Sequence, residues 1–221
     1  MTLFKTLKKI KNQYKNFHNE IDFFFRKNIK FSRKIKGNIE HIETSHVSEW
    51  LNNNINIDKD NIKILDIGAK NWFYVKDLYN FFKYNNFEKE IHLDGIEIDA
   101  YRVYSDFHTR YDYALYYSKG LKNCRYIAGD FLNHYDKYDY ITWFYPFVTE
   151  FPLLEWGLPL STFKPLKMLE HAVSSLKPGG TIIIKNLNEK EYAIQEKLFQ
   201  QLNIPYKKEP KYLITMSQNM S

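Results

Sequence analysis

The segment Asn61-Ile-Lys-Ile-Leu-Asp-Ile-Gly-Ala-Lys-Asn-Trp72 decides how this chain folds, and Ile91-His-Leu-Asp-Gly-Ile-Glu-Ile-Asp99 repeats its pattern. Each is a short run of Ile and Leu that reaches an acidic residue, which is typical of buried strands in a parallel sheet. A strand that ends in Asp-x-Gly before a helical pattern brings backbone close to a ligand at the carboxyl edge of the sheet. An acid at the end of the next strand lies where a ribose diol can be hydrogen-bonded. Together the segments predict a site for a nucleoside-containing cofactor.

Length and composition limit the class of protein. At 221 residues with 44% hydrophobic side chains, the chain can bury one sizeable core, so we expect a single domain with an appendage. The single cysteine, Cys124, excludes a disulfide framework and a zinc site built on cysteine, and it suits a reducing compartment. No apolar run approaches the roughly 20 residues that span a bilayer, and the N-terminus lacks a signal-peptide core. The sequence therefore predicts a cytoplasmic protein.

The positive charge of the chain is concentrated at its N-terminus. Residues 1–36 carry eleven Lys and Arg against two acids, a net charge of +9, whereas the remaining residues carry 21 basic and 24 acidic side chains, a net charge of −3. Because the globular part is mildly acidic, its composition argues against a nucleic-acid-binding surface. We therefore divide the chain into a basic arm, residues 1–36, and a globular domain, residues 37–221.

The arm repeats apolar residues at spacings of three and four, which predicts an amphipathic helix with a basic opposite face. This apolar seam consists of Leu3, Leu7, Ile10, Tyr14, Phe17, Ile21 and Phe24. Three interpretations remain open: a helix packed on its own domain, a homodimer seam, or a helix bound peripherally at an anionic membrane surface. The first is favoured because it is the most frequent arrangement. Beyond the arm, Thr44 or Ser45 can cap a short helix through Trp50 and Leu51.

From residue 62 the pattern alternates between strand and helix. The predicted strands are 62–67, 91–98, 124–128, 138–144 and 181–185, followed by two short strands within 204–209 and 211–216. The predicted helices are 72–83, 101–118, 161–176 and 189–202, with a turn at Lys177-Pro-Gly-Gly180. This alternation predicts an α/β fold with a doubly wound, mostly parallel seven-stranded sheet. The last two strands are so close in sequence that they can only be antiparallel to each other.

Short motifs follow one another at the ends of the predicted strands. They are Leu65-Asp-Ile-Gly68, Gly95-Ile-Glu97, Gly129-Asp130-Phe131 and the end of strand four near Thr142 and Trp143. In this order, with the Pro-Gly-Gly turn and the C-terminal hairpin, residues 45–216 resemble a class I S-adenosylmethionine-dependent methyltransferase, whose fold is Rossmann-like. The resemblance leaves the basic arm outside.

The resemblance implies S-adenosyl-L-methionine as the cofactor and assigns residues to its parts. The residues that correspond to the loop at the methionine portion are Asp66, Gly68, Ala69, Lys70 and Asn71. Glu97 takes the place of the acid that binds the ribose hydroxyls, Asp130 that of the acid facing the adenine amino group, and Phe131 would lie by the ring. The residues expected to border the acceptor are Thr142, Trp143, Phe144 and Tyr145.

The first loop departs from the family pattern, which usually has Gly-x-Gly-x-Gly. This chain has Gly68-Ala-Lys-Asn-Trp72, with Lys70 and Trp72 at the second and third glycine positions. Because Asn tolerates the left-handed conformation, we expect Asn71 to form the turn. Lys70 either pairs with the carboxylate of the cofactor or obstructs the pocket. The loop also disfavours a nicotinamide or flavin dehydrogenase, which needs Gly-x-Gly-x-x-Gly.

Two functions compete. The first is S-adenosylmethionine-dependent methyl transfer to a small-molecule or lipid-like acceptor, and the second is a catalytically inactive methyltransferase-like binding or assembly module. No catalytic residue is predicted, since positioning can supply most of the acceleration for a good nucleophile, and no spacing of His, Asp or Glu indicates a metal site. The segment after strand four forms either an acceptor wall or a hydrophobic lid. Its aromatic residues are Trp143, Phe144, Tyr145, Phe147, Phe151, Trp156 and Phe163.

Other charged residues have simpler interpretations. Asp99 is expected to cap a helix that begins near Tyr101, and Asp94 to form a polar pair. His108, Arg110, Tyr111 and Asp112 are expected on a solvated helix face, and His171 is expected to be a hydrogen-bonded core histidine.

Overall fold

The structure is a computed structural model that describes residues 61–84, 90–209 and 213–217. The predicted arm, its boundary at residue 37 and the short helix through Trp50 lie outside the described residues and stay predictions. No helix of the described ranges combines the length and the apolar character that a membrane span requires.

The described residues form one seven-stranded sheet in the order β3-β2-β1-β4-β5-β7-β6. The strands are β1 (Asn61–Ile67), β2 (Glu90–Glu97), β3 (Cys124–Ala128), β4 (Tyr138–Phe144), β5 (Leu176–Lys185), β6 (Lys207–Glu209) and β7 (Leu213–Ser217). Strands β1 to β5 run parallel, whereas β7 is antiparallel to both β5 and β6. The predicted mostly parallel sheet with an antiparallel C-terminal pair is confirmed.

Five α-helices connect the strands within the described ranges. They are α1 (Val75–Tyr84), α2 (Arg110–Ser118), α3 (Glu150–Glu155), α4 (Pro165–Ser174) and α5 (Glu189–Gln201). Two single-turn 3₁₀ helices, Phe131–Asn133 and Leu160–Thr162, lie in the loops after β3 and α3. The predicted helices at 72–83, 161–176 and 189–202 are confirmed with shorter bounds.

The core lies along the central strands, which are buried almost throughout. Leu65, Ile141 and Ile182, one from each of β1, β4 and β5, have no exposed surface. Burial of one Leu or Ile side chain contributes about 1.5–3 kcal/mol. The strands with the longest apolar runs therefore occupy the centre of the sheet, where both faces are covered. The rigid centre of the sheet holds the loops at its carboxyl edge.

The predicted tyrosine-rich helix at 101–118 is wrong in its first half. The helix begins at Arg110, after Thr109, whose side chain accepts a hydrogen bond from the Asp112 backbone while Asp112 bonds back to the Thr109 backbone. This capping box defines the first turn of α2. The chain before it forms a tight turn, in which Val103 bridges to Thr109 and Phe107 has a left-handed φ of +66°.

The predicted turn at Lys177-Pro-Gly-Gly180 is also corrected, since these residues belong to β5. Leu176 already pairs with Tyr138 of β4, and the register shifts between Tyr138 and Tyr140. Gly180 is packed so closely that an added Cβ would lie 2.9 Å from the Lys177 carbonyl oxygen. The glycine therefore permits an irregular strand rather than a free turn.

Candidate cofactor site at the carboxyl edge of the sheet

The central strands bring the predicted site residues to one edge of the sheet. Asp66 of β1 is in register with Gly95 of β2 and with Thr142 of β4. Neighbouring residues in register project from the same face. Glu97, two residues beyond Gly95, projects from that face at the end of β2.

The loop after β1 has a left-handed backbone at all three positions that correspond to the glycines of the family's Gly-x-Gly-x-Gly pattern. The φ angles are +71° at Gly68, +55° at Lys70 and +55° at Trp72. The expectation that Asn71 forms the left-handed turn is wrong, because Asn71 has no positive φ. Left-handed backbone costs a non-glycine residue about 1–2 kcal/mol, so surrounding contacts must hold Lys70 and Trp72 in place.

Those contacts come from β2 and β3. The backbone N–H groups of Gly68 and Ala69 both donate to the Ile96 carbonyl oxygen, at 2.9 and 3.1 Å. The Lys70 carbonyl oxygen accepts a hydrogen bond from the Tyr126 hydroxyl. Ala69 itself is fully buried. The loop is thus fixed on the sheet by hydrogen bonds on both sides of its centre.

Asp66 is a fully buried carboxylate with three side-chain donors. The Trp72 indole N–H lies 3.0 Å and the Tyr74 hydroxyl 2.6 Å from Oδ2, while the Thr142 hydroxyl lies 2.8 Å from Oδ1. Burial raises the pKa of Asp66 to about 6, although the three donors act in the opposite direction. Asp66 therefore ties the first loop and α1 to β4.

Trp72 fills the space between the first loop and the sheet. Its indole is fully buried and packs on Gly95, where an added Cβ would lie 2.6 Å from the ring. On the other side its ring centroid lies 5.6 Å from that of Tyr126. Trp72, which stands at the third glycine position, is therefore part of the core beneath the loop.

The carboxylate of Glu97 is held by the loops after β1 and β2. Oε2 accepts a hydrogen bond from the Lys70 backbone N–H and Oε1 accepts one from the Asp99 backbone N–H, each at 2.9 Å. Arg110 Nη1 lies 3.6 Å from Oε1. Because a carboxylate offers about four lone-pair sites, Glu97 retains acceptor capacity for further donors. The residue is only 6% exposed.

A cationic and aromatic layer lies beside Glu97, and we call it the Trp156 stack (Lys70, Trp156 and Arg110). Lys70 Nζ lies 4.5 Å and Arg110 Cζ 4.7 Å from the centre of the Trp156 ring. Trp156 follows α3 and packs edge-to-face on Phe147, with centroids 5.5 Å apart. The segment after β4 therefore contacts both the first loop and α2 at the site.

The expectations for Asp99 and Arg110 are wrong. Asp99 forms ion pairs with Arg102 and with Arg110, whose Nη1 lies 3.2 Å from Oδ2. Arg110 is only 4% exposed, so it does not belong to a solvated helix face. The turn at 103–109 causes both differences, because it starts α2 where Arg110 points back at β2. His108 is exposed as expected, but it lies in the turn before α2 and not on a helix.

Asp130 and Phe131 follow the end of β3, where the Gly129 backbone N–H donates to the Glu97 carbonyl oxygen at 3.0 Å. The Asp130 carboxylate accepts a hydrogen bond from the Leu132 backbone N–H at 2.9 Å and so caps the 3₁₀ helix. Phe131 is buried in the core cluster, with its ring edge-to-face against His171. His171 in turn lies 2.7 Å from the His134 carbonyl oxygen, which agrees with a hydrogen-bonded histidine.

The predicted acceptor-side residues divide into two groups. Thr142 and Trp143 are buried within β4, where Thr142 bonds to Asp66 and Trp143 belongs to the core. Phe144 and Tyr145 reach the edge of the sheet and are partly exposed or exposed. The Phe144 ring packs against Tyr74 with centroids 5.8 Å apart, so the end of β4 meets the start of α1.

Sequence reasoning missed Tyr74 and the buried position of Arg110. Tyr74 lies eight residues after Asp66, a spacing that corresponds to no motif. No sequence signal pointed to Arg110, because Arg102, three residues after Asp99, is the nearer basic residue and also pairs with it. Both contacts depend on where the loops after β1 and β2 turn.

Asp94, His134 and Asp136 form a second polar cluster, whose ligand atoms lie within 4.8 Å of one another. Arg125 binds Asp94 with two hydrogen bonds of 2.9 and 2.8 Å, which confirms the expected polar pair. Lys63 pairs with Asp136 at 2.8 Å. Since two cations balance the two carboxylates, the cluster is an ion network that joins β1, β2 and β3, and we assign no metal to it.

Comparison with known proteins identifies the fold. No protein-family model matches the chain, and no curated protein matches it in sequence. A candidate S-adenosyl-L-methionine-dependent methyltransferase from Methanococcus maripaludis is similar in structure, with a TM-score of 0.53 and 12% identity over 79% of this chain and 84% of that chain. For a ribosomal protein methylase from Lactobacillus delbrueckii subsp. bulgaricus, the TM-score is 0.52 at 11% identity, covering 81% and 79%.

A candidate class I methyltransferase from Listeria monocytogenes has a TM-score of 0.52 and 14% identity, over 87% of this chain and 67% of that chain. The chain therefore has the Rossmann-like fold of the class I S-adenosylmethionine-dependent methyltransferases, which confirms the resemblance at the level of the fold.

Proposed function

We propose that the protein binds S-adenosyl-L-methionine at the carboxyl edge of β1 and β2 and transfers its methyl group to a small-molecule or lipid-like acceptor. The observation that carries this proposal is the backbone of the first loop. It is left-handed at Gly68, Lys70 and Trp72, although two of these residues are poorly suited to that conformation. The loop thus keeps the shape that glycine would allow, and it places the Lys70 N–H on the carboxylate of Glu97.

The donor and acceptor groups present are compatible with this cofactor. Glu97 would accept hydrogen bonds from the ribose hydroxyls, and the loop at Gly68 to Asn71 would hold the methionine portion. Asp130 would lie at the adenine end, whereas the ring of Phe131 is buried in the core and is not available to a ligand. When bound, the cofactor supplies a methyl group on a sulfonium, and the chain's own residues bind and orient the two reactants.

Exposed apolar side chains at the same edge support an apolar acceptor. They lie in segments that follow β1, β4 and β5: Phe73 in the first loop, Phe151 and Leu154 in α3, Leu160 in the 3₁₀ helix and Leu187 after β5. Phe151 is 68% and Leu187 57% exposed. Exposed apolar residues in the loops at the carboxyl edge of such a sheet are compatible with an apolar ligand.

Calorimetric titration with S-adenosylhomocysteine tests the cofactor assignment. Replacing Glu97 by Gln keeps its volume but removes the charge, and it leaves one carbonyl oxygen for the ribose and for two backbone N–H donors, those of Lys70 and Asp99. Because a charge-assisted hydrogen bond contributes about 1.5–3 kcal/mol, we expect the dissociation constant to rise by roughly tenfold or more. The matched control is Glu90→Gln, an exposed acid at the opposite end of the same strand.

Equal affinities of wild type and Glu97→Gln would refute the role of Glu97. The absence of binding to well-folded wild-type protein would refute the cofactor itself.

The second candidate function, a module without turnover, is favoured by the small exposure of Glu97 beside the Trp156 stack. In that case S-adenosylhomocysteine would not bind even at millimolar concentration. The Trp156→Ala variant, which removes the stacked ring, would then not bind it either.

A further inference from the structure

The carboxylate of Glu97 is too well covered, in the arrangement that the structure shows, to accept hydrogen bonds from a ribose. The residue is 6% exposed, and Arg110 Nη1 lies 3.6 Å from its Oε1 atom. Arg110 lies in turn against Trp156, with its Cζ atom 4.7 Å from the ring centre. Since each ribose hydroxyl must come within about 3 Å of a carboxylate oxygen, a covering group has to move before a nucleoside can bind there.

The loops after β1 and β2 are poorly placed to make this movement, because hydrogen bonds hold both of them. In the first loop, the Gly68 and Ala69 N–H groups donate to the Ile96 carbonyl oxygen at 2.9 and 3.1 Å. In the second, the Ala100 carbonyl oxygen accepts from the Tyr111 N–H at 2.8 Å. Displacing either loop would break these bonds, which are costly to leave unmade.

The segment after β4 is held less firmly. We call residues 149–163 the cover segment, and of these residues Leu153 alone is buried. Within the described part of the chain, the hydrogen bonds of the cover segment are internal, such as the one from the Trp156 N–H to the Pro152 carbonyl oxygen at 3.1 Å. A segment with few buried contacts of its own can move at low cost in free energy.

Trp156 attaches the cover segment to the two firmly held loops. Lys70 Nζ lies 4.5 Å and Arg110 Cζ 4.7 Å from the centre of its ring. The next residue, Gly157, lies so close to Arg102 that an added Cβ would be 3.3 Å from Nη2. Contacts between a ring and a cation are individually weak, so they can hold the segment in place and still release it.

We propose that the cover segment is a gate over the cofactor site and that Trp156 is its latch. In the closed position, which the structure shows, Trp156 lies on Arg110 and Lys70 while Glu97 is covered. In the open position Trp156 leaves both cations, and Glu97 becomes accessible from the side of the cover segment. This inference rests on the proposed function, and it gives Trp156 a conformational role rather than a contact with the cofactor.

The direction in which Trp156→Leu changes the affinity tests the gate. A closed gate lowers the fraction of protein that is competent to bind, and the apparent dissociation constant rises in proportion. Leu can still pack on Phe147 but has no aromatic face for the cations, so S-adenosylhomocysteine should associate about tenfold faster and bind about tenfold more tightly. Loss of a ring that contacts the cofactor would weaken binding instead. Surface plasmon resonance on the full-length protein gives both quantities.

Two further variants serve as controls. Trp156→Phe keeps a smaller aromatic face, so its association rate should lie between those of wild type and Trp156→Leu. It also provides the test should Trp156→Leu fold poorly. Tyr116→Leu removes a ring that is 71% exposed near the end of α2, and it should change neither the rate nor the affinity.

The outcomes separate the gate from the proposed function. If the wild-type protein binds S-adenosylhomocysteine and the Trp156 variants associate with it equally fast or more slowly, the gate is overturned while the cofactor assignment stands. If the wild-type protein does not bind it, the proposed function fails, and the gate fails with it.

Discussion

At the scale of single residues, Asp66 belongs to a cofactor-binding motif and also stabilises the fold through its buried hydrogen bonds. All three of its donors are side chains, and two of them, Trp72 and Tyr74, follow it in the loop before α1. A buried carboxylate without such partners would be costly. The arrangement explains why Trp72 is tolerated at a position where glycine is usual, since its indole N–H satisfies Asp66.

Asp66 predicts a pH dependence of stability. The carboxyl has a pKa near 3.8 in the unfolded chain and about 6 in the folded protein. Between these values unfolding releases a proton, so the free energy of unfolding falls as pH rises from about 4 to 6. A shift of this size corresponds to about 3 kcal/mol. Asp66→Asn can keep all three contacts, with its amide N–H₂ donating to Thr142. The variant should therefore lack this pH-dependent part of the free energy of unfolding.

Urea denaturation of both proteins between pH 4 and pH 7 measures the effect. The comparison with Asp66→Asn is required because Asp106 and Asp136 have lowered pKa values and act in the opposite direction. Parallel curves for wild type and variant would show that Asp66 does not titrate in this range.

At the scale of secondary-structure elements, the first loop packs closely on β2 where Trp72 meets Gly95. We expect Gly95→Ala to lower the free energy of unfolding by about 1–3 kcal/mol, as overpacked core substitutions do. The cause is the Trp72 ring, 2.6 Å from the added Cβ. Gly129→Ala at the end of β3 is the matched control, because its Cβ would meet no atom within 4 Å.

Denaturant titration of the two variants gives the measurement. In a Trp72→Leu background the cost of Gly95→Ala should shrink, since the ring that causes the clash is absent. Equal losses for Gly95→Ala and Gly129→Ala would contradict the packing that we describe.

At the scale of the whole molecule, the charge separates the chain into a basic arm and a mildly acidic domain. Residues 1–36 carry a net charge of +9. If this arm binds an anionic membrane, each lysine near the surface contributes about 1 kcal/mol. Screening acts over about 10 Å at 0.1 M salt, so co-sedimentation with anionic liposomes should fall sharply as salt rises.

Deletion of residues 1–36 separates the three interpretations of the arm. Loss of salt-sensitive liposome binding indicates a membrane helix, and loss of dimer mass in light scattering indicates a dimer seam. If neither changes and the truncated protein is only less stable, the arm is a helix packed on its own domain.

Much of the fold was predictable from the sequence because it depends on local pattern. The strands at 61–67 and 138–144 are short apolar runs, and their burial in a parallel sheet follows from composition and length. The helix at 101–118 was predicted too long, because side-chain periodicity does not reveal a capping box or a left-handed residue such as Phe107.

The amino-acid sequence alone predicts the order of the strands along the chain, the acids at the carboxyl ends of β1 and β2, and the unusual residues of the first loop. The contacts of those residues are visible only in the folded structure. The burial of Arg110, the three donors on Asp66 and the contact of Lys70 with Trp156 each join segments that are separate in the chain. Such contacts depend on how the loops at the carboxyl edge pack together, and no local pattern of residues encodes that packing.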